Sequence, residues 1–227
     1  MAKTPKYLKL SHGIKPGVMP LYPGTPLPRR IDLKSMKAGD SCNASGVMLS
    51  LHSGTHVDFP GHFREDGRLC SDYSLTELIF KRPVVCHCPK GREDEIDVSD
   101  LKSFSPRADA DALIIKTGFS SYRDKRPSVY TSESPFVTPA AARWLKKRMK
   151  SLRAIGIDCV SFSSFADRKA GRETHRVFLG DKKNPVILIE DMRLPEGLDR
   201  LDELMVCPIF IEGAEAAPCT VIGVRHD

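Results

Sequence analysis

Short apolar runs bounded by turn residues recur along this chain, and only one long helix stands out among them. Residues 83–88, 112–117, 154–162, 186–189, 205–211 and 221–224 each read as a strand, and 45–51 as a weaker one. Thr138-Pro139 is the strongest helix start, with Thr as N-cap and Pro in the first turn. That helix is predicted to run to about residue 152, with Ala141, Trp144, Leu145, Met149 and Leu152 as its apolar stripe. Ser74 followed by Glu77 is a capping-box pattern and predicts a short helix. Too few helices separate the strands for a regular βαβ array. The expectation is a single α/β domain over residues 1–227, with a mixed β-sheet or partly closed barrel as its core and few helices.

Composition narrows the function classes. With 227 residues, 41% hydrophobic and 28% charged, the chain is neither disordered nor a coiled coil nor collagen-like. It is long enough to bury a core without staples, so a metal in it would serve function rather than folding. The net charge of +6 is mild and scattered, apart from Arg143, Lys146, Lys147, Arg148, Lys150 and Arg153. Those fit a solvated helix face, and no aromatic-rich RNA-binding signature accompanies them, so no nucleic-acid partner is expected. The cysteine count, seven, is odd, the Met1–Lys9 stretch has no apolar core, and no run approaches about 18 apolar residues. A cytoplasmic protein without a membrane segment is expected. Cys86-His87-Cys88 lacks the gap of a zinc knuckle; strand alternation would bury both cysteines and turn His87 outward. Five prolines between Pro16 and Pro28 make an extended, turn-rich arm, with a tight turn at Tyr22-Pro23-Gly24-Thr25.

The chemistry concentrates in His52-Ser-Gly-Thr-His56-Val-Asp58-Phe-Pro-Gly-His62. Imidazole nitrogens and a carboxylate are ligands for a borderline cation such as zinc at about 2.0–2.2 Å. In a flat strand residues four apart stand roughly 13 Å apart, so two ligands on one ion require the chain to bend. Gly54 permits the bend, and Pro60-Gly61 can turn His62 back over the site. A helix would also align His52 with His56, but Gly54 inside it and Pro60 after it argue against one.

This stretch resembles the cyclase family of metal-dependent hydrolases, which includes bacterial kynurenine formamidase. The hallmark H-x-G-T-H-x-D-x-P-x-H is matched at every fixed position from His52 to His62. The resemblance extends over nearly the whole chain. Leu10-Ser11-His12 and Tyr22-Pro23-Gly24 are similar to the family's opening, with Thr25 where an aspartate is expected. Leu113 to Gly118, Gly156-Ile157-Asp158 with Ser161, His175 with Phe178-Leu179, Glu190, and Pro208 with Glu212-Gly213 and Pro218 resemble its later segments. Ser163 stands where an aspartate is expected, and the His175–Glu190 spacing is longer than the family pattern, through Gly180–Asn184.

The resemblance implies a swivelling β/β/α fold and one or two divalent ions per subunit. His52, His56 and Asp58 would hold one ion; Asp58, His175 and Glu190 a second, with Asp58 bridging; read from the residues alone, Asp167 and Asp191 are nearby substitutes for the second pair. His62 would be the catalytic proton-transfer residue. The ligand types suit Zn²⁺ first and Mn²⁺ next. A metal-activated water would then cleave an amide, formamide or cyclic imide or lactam of a small-molecule substrate, kynurenine formamidase-like. Tyr22, Phe59 and Phe162 are candidates for binding it, with Phe63 and Phe165 beside them. The family's habit also implies a homodimer or homotetramer. The alternative is a non-enzymatic metal-binding or regulatory protein on the same fold.

Overall fold

A computed structural model describes residues 4–226, so the first three residues of the Met1–Lys9 stretch and Asp227 lie outside the described residues. In chain order the strands are β1 (Pro5–Lys9), β2 (Arg29–Lys34), β3 (Ala44–Met48), β4 (His56–Asp58), β5 (Ile79–Phe80), β6 (Pro83–His87), β7 (Glu95–Ile96), β8 (Ala112–Lys116), β9 (Phe136–Val137), β10 (Ala154–Ile157), β11 (Ile187–Glu190), β12 (Glu203–Pro208) and β13 (Ala216–His226). The helices are α1 (Val98–Phe104), α2 (Pro127–Ser132), α3 (Pro139–Arg148) and α4 (Arg168–Leu179).

Nine strands form one sheet in the order β5-β12-β13-β4-β11-β10-β8-β6, with β1 also on β13. β6, β8, β10 and β11 are parallel; the remaining pairings are antiparallel. Parallel neighbours need crossovers, and α1, α3 and α4 supply them. β5 and β6 stand at opposite ends of the strand path yet are joined only by Lys81-Arg82. The sheet must therefore curl until its edges nearly meet. The Asp111 carboxylate accepts hydrogen bonds from both linking amides, at 3.0 and 2.8 Å, and seals that seam.

Curling divides the core in two. Val57, Phe59, Ile114, Ile189, Leu204 and Val221 belong to one buried cluster, inside the curl; Ile115, Ile155, Leu188, Leu145 and Phe178 belong to the other, under the helices. The mixed α/β fold expected from the sequence is the one observed, as a nearly closed sheet with four helices among the described residues. α3 starts as predicted, with the Thr138 hydroxyl accepting from the Ala141 amide at 3.1 Å. It ends at Arg148 rather than 152, where Met149 leaves helical geometry; Met149 and Leu152 are still buried. Ser74 caps only a single turn, Leu75–Leu78. The predicted 154–162 strand stops at Ile157, because the next residues turn to meet α4 and the site. Cys86 and Cys88 are buried and His87 is exposed, as alternation requires. The basic residues near α3 are taken up locally: Arg143 pairs with Glu173, Lys146 with Asp181, and Arg153 covers the Phe80 ring. Among the described residues no helix is long and apolar enough to cross a membrane.

Candidate metal centre

Register assembles the first part of the site. β4 pairs antiparallel with β11 so that His56 lies opposite Glu190. Directly opposed residues share a face with their Cβ atoms about 4.5–5.5 Å apart, and strand alternation puts Asp58 on that face too. The intervening Val57 points into the curl. The shared face looks toward α4, which docks through Thr174 (hydroxyl to the Val137 carbonyl, 2.7 Å), Phe178 and Leu179. This docking presents His175 to the same point. Ahead of β4 the chain turns sharply: Gly54 has φ +67°, and an added Cβ would stand 2.9 Å from the Ile14 side chain. The turn sets the His52 ring edge-on to the His56 ring, 5.1 Å between their centres.

The ligand atoms converge. His52 Nδ1 lies 3.0 Å and His56 Nε2 3.4 Å from Asp58 Oδ1. His56 Nε2 is 3.4 Å from Glu190 Oε2, and His175 Nε2 is 3.2 Å from Glu190 Oε1 and 3.9 Å from Asp58 Oδ2. Donors around a tetrahedral ion with bonds of about 2.0–2.2 Å are themselves roughly 3.3–3.6 Å apart. His52, His56 and Asp58 form one compact trio and Asp58, His175 and Glu190 another, with Asp58 common to both. Outer partners orient the rings. His56 Nδ1 donates to the Gly54 carbonyl at 2.8 Å and His175 Nδ1 to the Gly171 carbonyl at 2.9 Å, which leaves each Nε2 to face the carboxylates. Glu190 Oε1 accepts from the Ser161 hydroxyl and the Phe162 amide, at 2.9 and 2.8 Å.

The residues fit a divalent cation. Among the described residues His56 Nε2 and Asp58 Oδ1 are buried with no hydrogen-bond partner, a costly arrangement that a cation between them would relieve. Without one, protons do that work. Burial opposes charge on the His56 ring, but the Glu190 carboxylate 3.4 Å from Nε2 and the Asp58 charge outweigh it and hold the ring up at about 9. His52 and His175 are raised by the same contest, with Asp58 and Glu190 respectively as partners. Burial likewise pushes Asp58 and Glu190 up, but the imidazoles pull both below the usual carboxylate range. A cation must displace these ring protons. Its affinity is therefore expected to climb as pH rises toward 9, with protons released on binding; calorimetry in buffers of different ionisation enthalpy reads both. Because the folded His56 value lies above the ordinary 6.5, its stabilisation of the metal-free protein is present below 6.5 and lost as pH rises through about 9. The melting temperature of the metal-free form should fall over that window, and that of the metal-loaded form should not.

His62 sits at the edge of the cluster, its ring 4.4 Å from that of His52 and 6.3 Å from that of His175. Burial pushes it below 6.5, so it is neutral at pH 7. The short turn Pro60–His62 carries it. Gly67 packs on that turn so closely that an added Cβ would lie 2.5 Å from the Pro60 carbonyl carbon and 2.6 Å from the Gly61 nitrogen. Backbone cannot yield cheaply there. Gly67→Ala should cost about 1–3 kcal/mol in denaturant unfolding and displace His62.

A cavity of about 500 Å³ opens over the cluster, and Tyr22, Thr25, Phe63, Ser163, Arg168 and Arg172 line it beside the ligands. Two aromatic expectations need correction. The Phe59 and Phe162 side chains are fully buried in the two cores, against Tyr73 and Phe178, and do not line the cavity. Both follow strand-like segments whose alternate positions face inward, so only Tyr22 of the three reaches the cavity. Asp167 instead caps α4, accepting from the Ala170 amide, and Asp191 turns away to Arg123. The longer His175–Glu190 spacing is absorbed outside the sheet, where Asp181 accepts the Lys183 and Asn184 amides and pairs with Lys146.

Sequence reasoning missed Glu215, whose carboxylate lies 3.3 Å from His52 Nε2. It also missed the clamp behind Glu190. Arg123 donates twice to Asp191, at 2.7 Å each, Tyr130 donates to it at 2.6 Å, and the Thr55 hydroxyl donates to the Asp191 carbonyl at 2.5 Å. Asp191 has φ +51°, an unusual value for a residue with a side chain, and follows a ligand directly; Thr55 directly precedes another. No local pattern announces these partners, which come from segments far apart in sequence.

Such donors, beside a neutral imidazole open to a cavity, are the equipment of a metal-dependent hydrolase. Residues 8–164 match the family model described as "Putative cyclase", so the chain belongs to the cyclase family. A protein named kynurenine formamidase from Geobacillus thermodenitrificans is 30% identical over 88% of this chain and 88% of its own. Cyclase-like protein 1 of Arabidopsis thaliana is 29% identical over 84% of this chain and 73% of its own. Isatin hydrolase A from Labrenzia aggregata shares the fold, with a TM-score of 0.82 at 19% identity over 98% of this chain and 94% of the other.

Proposed function

We propose that the protein hydrolyses an amide, formamide or cyclic imide or lactam bond of a small molecule, in the manner of kynurenine formamidase, with Zn²⁺ first and Mn²⁺ next as the cation. The observation that carries this is the buried, unpartnered pair His56 Nε2 and Asp58 Oδ1 within reach of the neutral His62 ring. The relatives named kynurenine formamidase support it, and the similarity to isatin hydrolase A supports the inclusion of ring amides.

His52, His56 and Asp58, or Asp58, His175 and Glu190, would hold the cation, which when bound would lower the pKa of water from ~15.7 to about 7 and polarise a carbonyl. His62, neutral at pH 7, accepts the proton as water oxygen bonds to the carbonyl carbon. It returns that proton to the nitrogen as the carbon–nitrogen bond breaks. Ser161 and the Phe162 amide keep Glu190 ionised and oriented while this happens. The products are a carboxylic acid and an amine. Elemental analysis of fresh protein, with metal-free and reconstituted samples assayed on N-formylkynurenine, isatin and simple cyclic imides, tests the reading. Turnover that returns with metal supports it; tight metal binding with no turnover on any of them overturns it.

Self-assembly as a homodimer or homotetramer belongs to the same proposal. β2 and β3 form a separate two-stranded ribbon whose Ile31, Leu33, Val47 and Met48 are exposed. Such a ribbon is marginal alone and gains from a second surface. Leu33→Asp should shift sedimentation velocity at micromolar protein toward the monomer.

A further inference from the structure

The cavity wall carries two cations that the cluster does not use. Apart from Asp58 and Glu190, no lining residue is acidic, whereas Arg168 and Arg172 both line it. Among the described residues neither guanidinium has an ion-pair partner. Both lie on α4, the helix that also presents His175. The spacing 168, 172, 175 puts all three on one face, with Arg172 about 4.5 Å and Arg168 about 10.5 Å from His175 along the axis.

This placement works against the helix itself. Like charges one turn apart repel, and cations in a first turn oppose the helix dipole. α4 has no acidic residue in its first turn to offset them. The Asp167 carboxylate accepts the Ala170 amide as the cap. Arg168 is also held in position, its guanidinium 4.5 Å over the Phe165 ring, which in turn meets Tyr22 edge-on at 6.0 Å. A guanidinium supported on one flat side keeps its N–H edge free for a planar acceptor. Tyr22 lines the same cavity, within electrostatic reach of Arg168, Arg172 and Glu190. Once a divalent cation balances Asp58 and Glu190, the cavity is left with two uncompensated positive charges.

We propose that the substrate bears a carboxylate, held by Arg168 and Arg172 while the bond to be cut lies over the metal cluster. This rests on the hydrolase reading of the site and adds the substrate class: an amide or formamide with an acidic group set back from the scissile carbonyl. A neutral ring amide would leave the arginines without a role, and a purely cationic amide would be repelled.

Matched substrates test it. The reconstituted protein is assayed on 3- and 4-carboxyformanilide and on their methyl esters, alongside the R168Q/R172Q variant. Calorimetric binding of 3-aminobenzoate against 3-aminobenzamide is measured in parallel, and thermal melting checks the fold. The wild-type protein should favour at least one acid over its ester by about 10–100-fold in kcat/KM, mainly through KM, as for hydrogen bonds to a charged group. In R168Q/R172Q that ratio, and the preference for aminobenzoate over aminobenzamide, should fall to about one. A ratio near one in the wild type for both pairs, or a preference that survives in the double variant, overturns the proposal; in the latter case the cluster and not the arginines holds the carboxylate. If no formanilide is cleaved, and N-formylkynurenine, isatin and the cyclic imides are not cleaved either, but aminobenzoate binds in an arginine-dependent way, the carboxylate site stands and the hydrolase reading falls.

Discussion

His62→Ala is expected to lower kcat by about 10²–10⁴-fold while the protein keeps its full metal content, as for loss of a general acid–base. The ring touches the cluster through His52, at 4.4 Å between ring centres, yet donates no atom to the two trios that share Asp58. Removing it should therefore take away proton transfer and leave the donors in place. His56→Ala gives the opposite pattern, because it deletes a donor facing both Asp58 and Glu190: bound metal is lost, and activity goes with it. Metal content by elemental analysis and kcat on the same samples separate the two. Full activity in His62→Ala would remove the proton-transfer role. Loss of metal from that variant would make His62 a ligand instead, a role its proximity to His52 and Glu215 also allows.

The second large effect lies behind the cluster. Asp191→Ala leaves the Arg123 guanidinium, 2% exposed, without its bidentate partner. Breaking a buried ion pair from one side costs about 3–5 kcal/mol, because the remaining charge stays desolvated. In a chain of this size that corresponds to roughly a 6–20 °C fall in melting temperature. Tyr130 loses its 2.6 Å acceptor as well; burial and the Asp191 charge hold its phenol well above the usual range, so it stays protonated and donates to Asp191. The double variant Asp191→Ala/Arg123→Leu should recover part of the loss, since no bare charge remains. A double variant no more stable than the single one would mean that the strained backbone at Asp191, rather than the stranded charge, dominates the cost.

Legibility in the sequence followed the range of the interactions. The strands 83–88 and 112–117 were readable within a residue or so, because a buried parallel strand is a continuous apolar run. β4 was not readable as a strand: it is only His56–Asp58, and its pairing with β11 and β13 rather than its composition makes it one. α4 was missed because Arg168, Lys169, Arg172, Glu173 and Arg176 mask a buried face of Gly171, Thr174, His175, Phe178 and Leu179. The ligand-rich segment could be recognised because His52, His56, Asp58 and His62 are close in sequence. Glu215 could not, since it reaches His52 only through the pairing of β13 with β4.

By itself the sequence determined that the chain is a mixed α/β fold, that its chemistry gathers between His52 and His62, and that Gly54 and Pro60 bend the backbone there. These are local consequences of side-chain type, backbone freedom and apolar periodicity. Tertiary structure alone decided which carboxylates face the imidazoles, that Phe59 and Phe162 serve the core, that Asp191 belongs to Arg123, and that two arginines of α4 border the cavity. Each of those depends on strand register or helix docking, and a shift of one residue in either would send the same side chain to the opposite face.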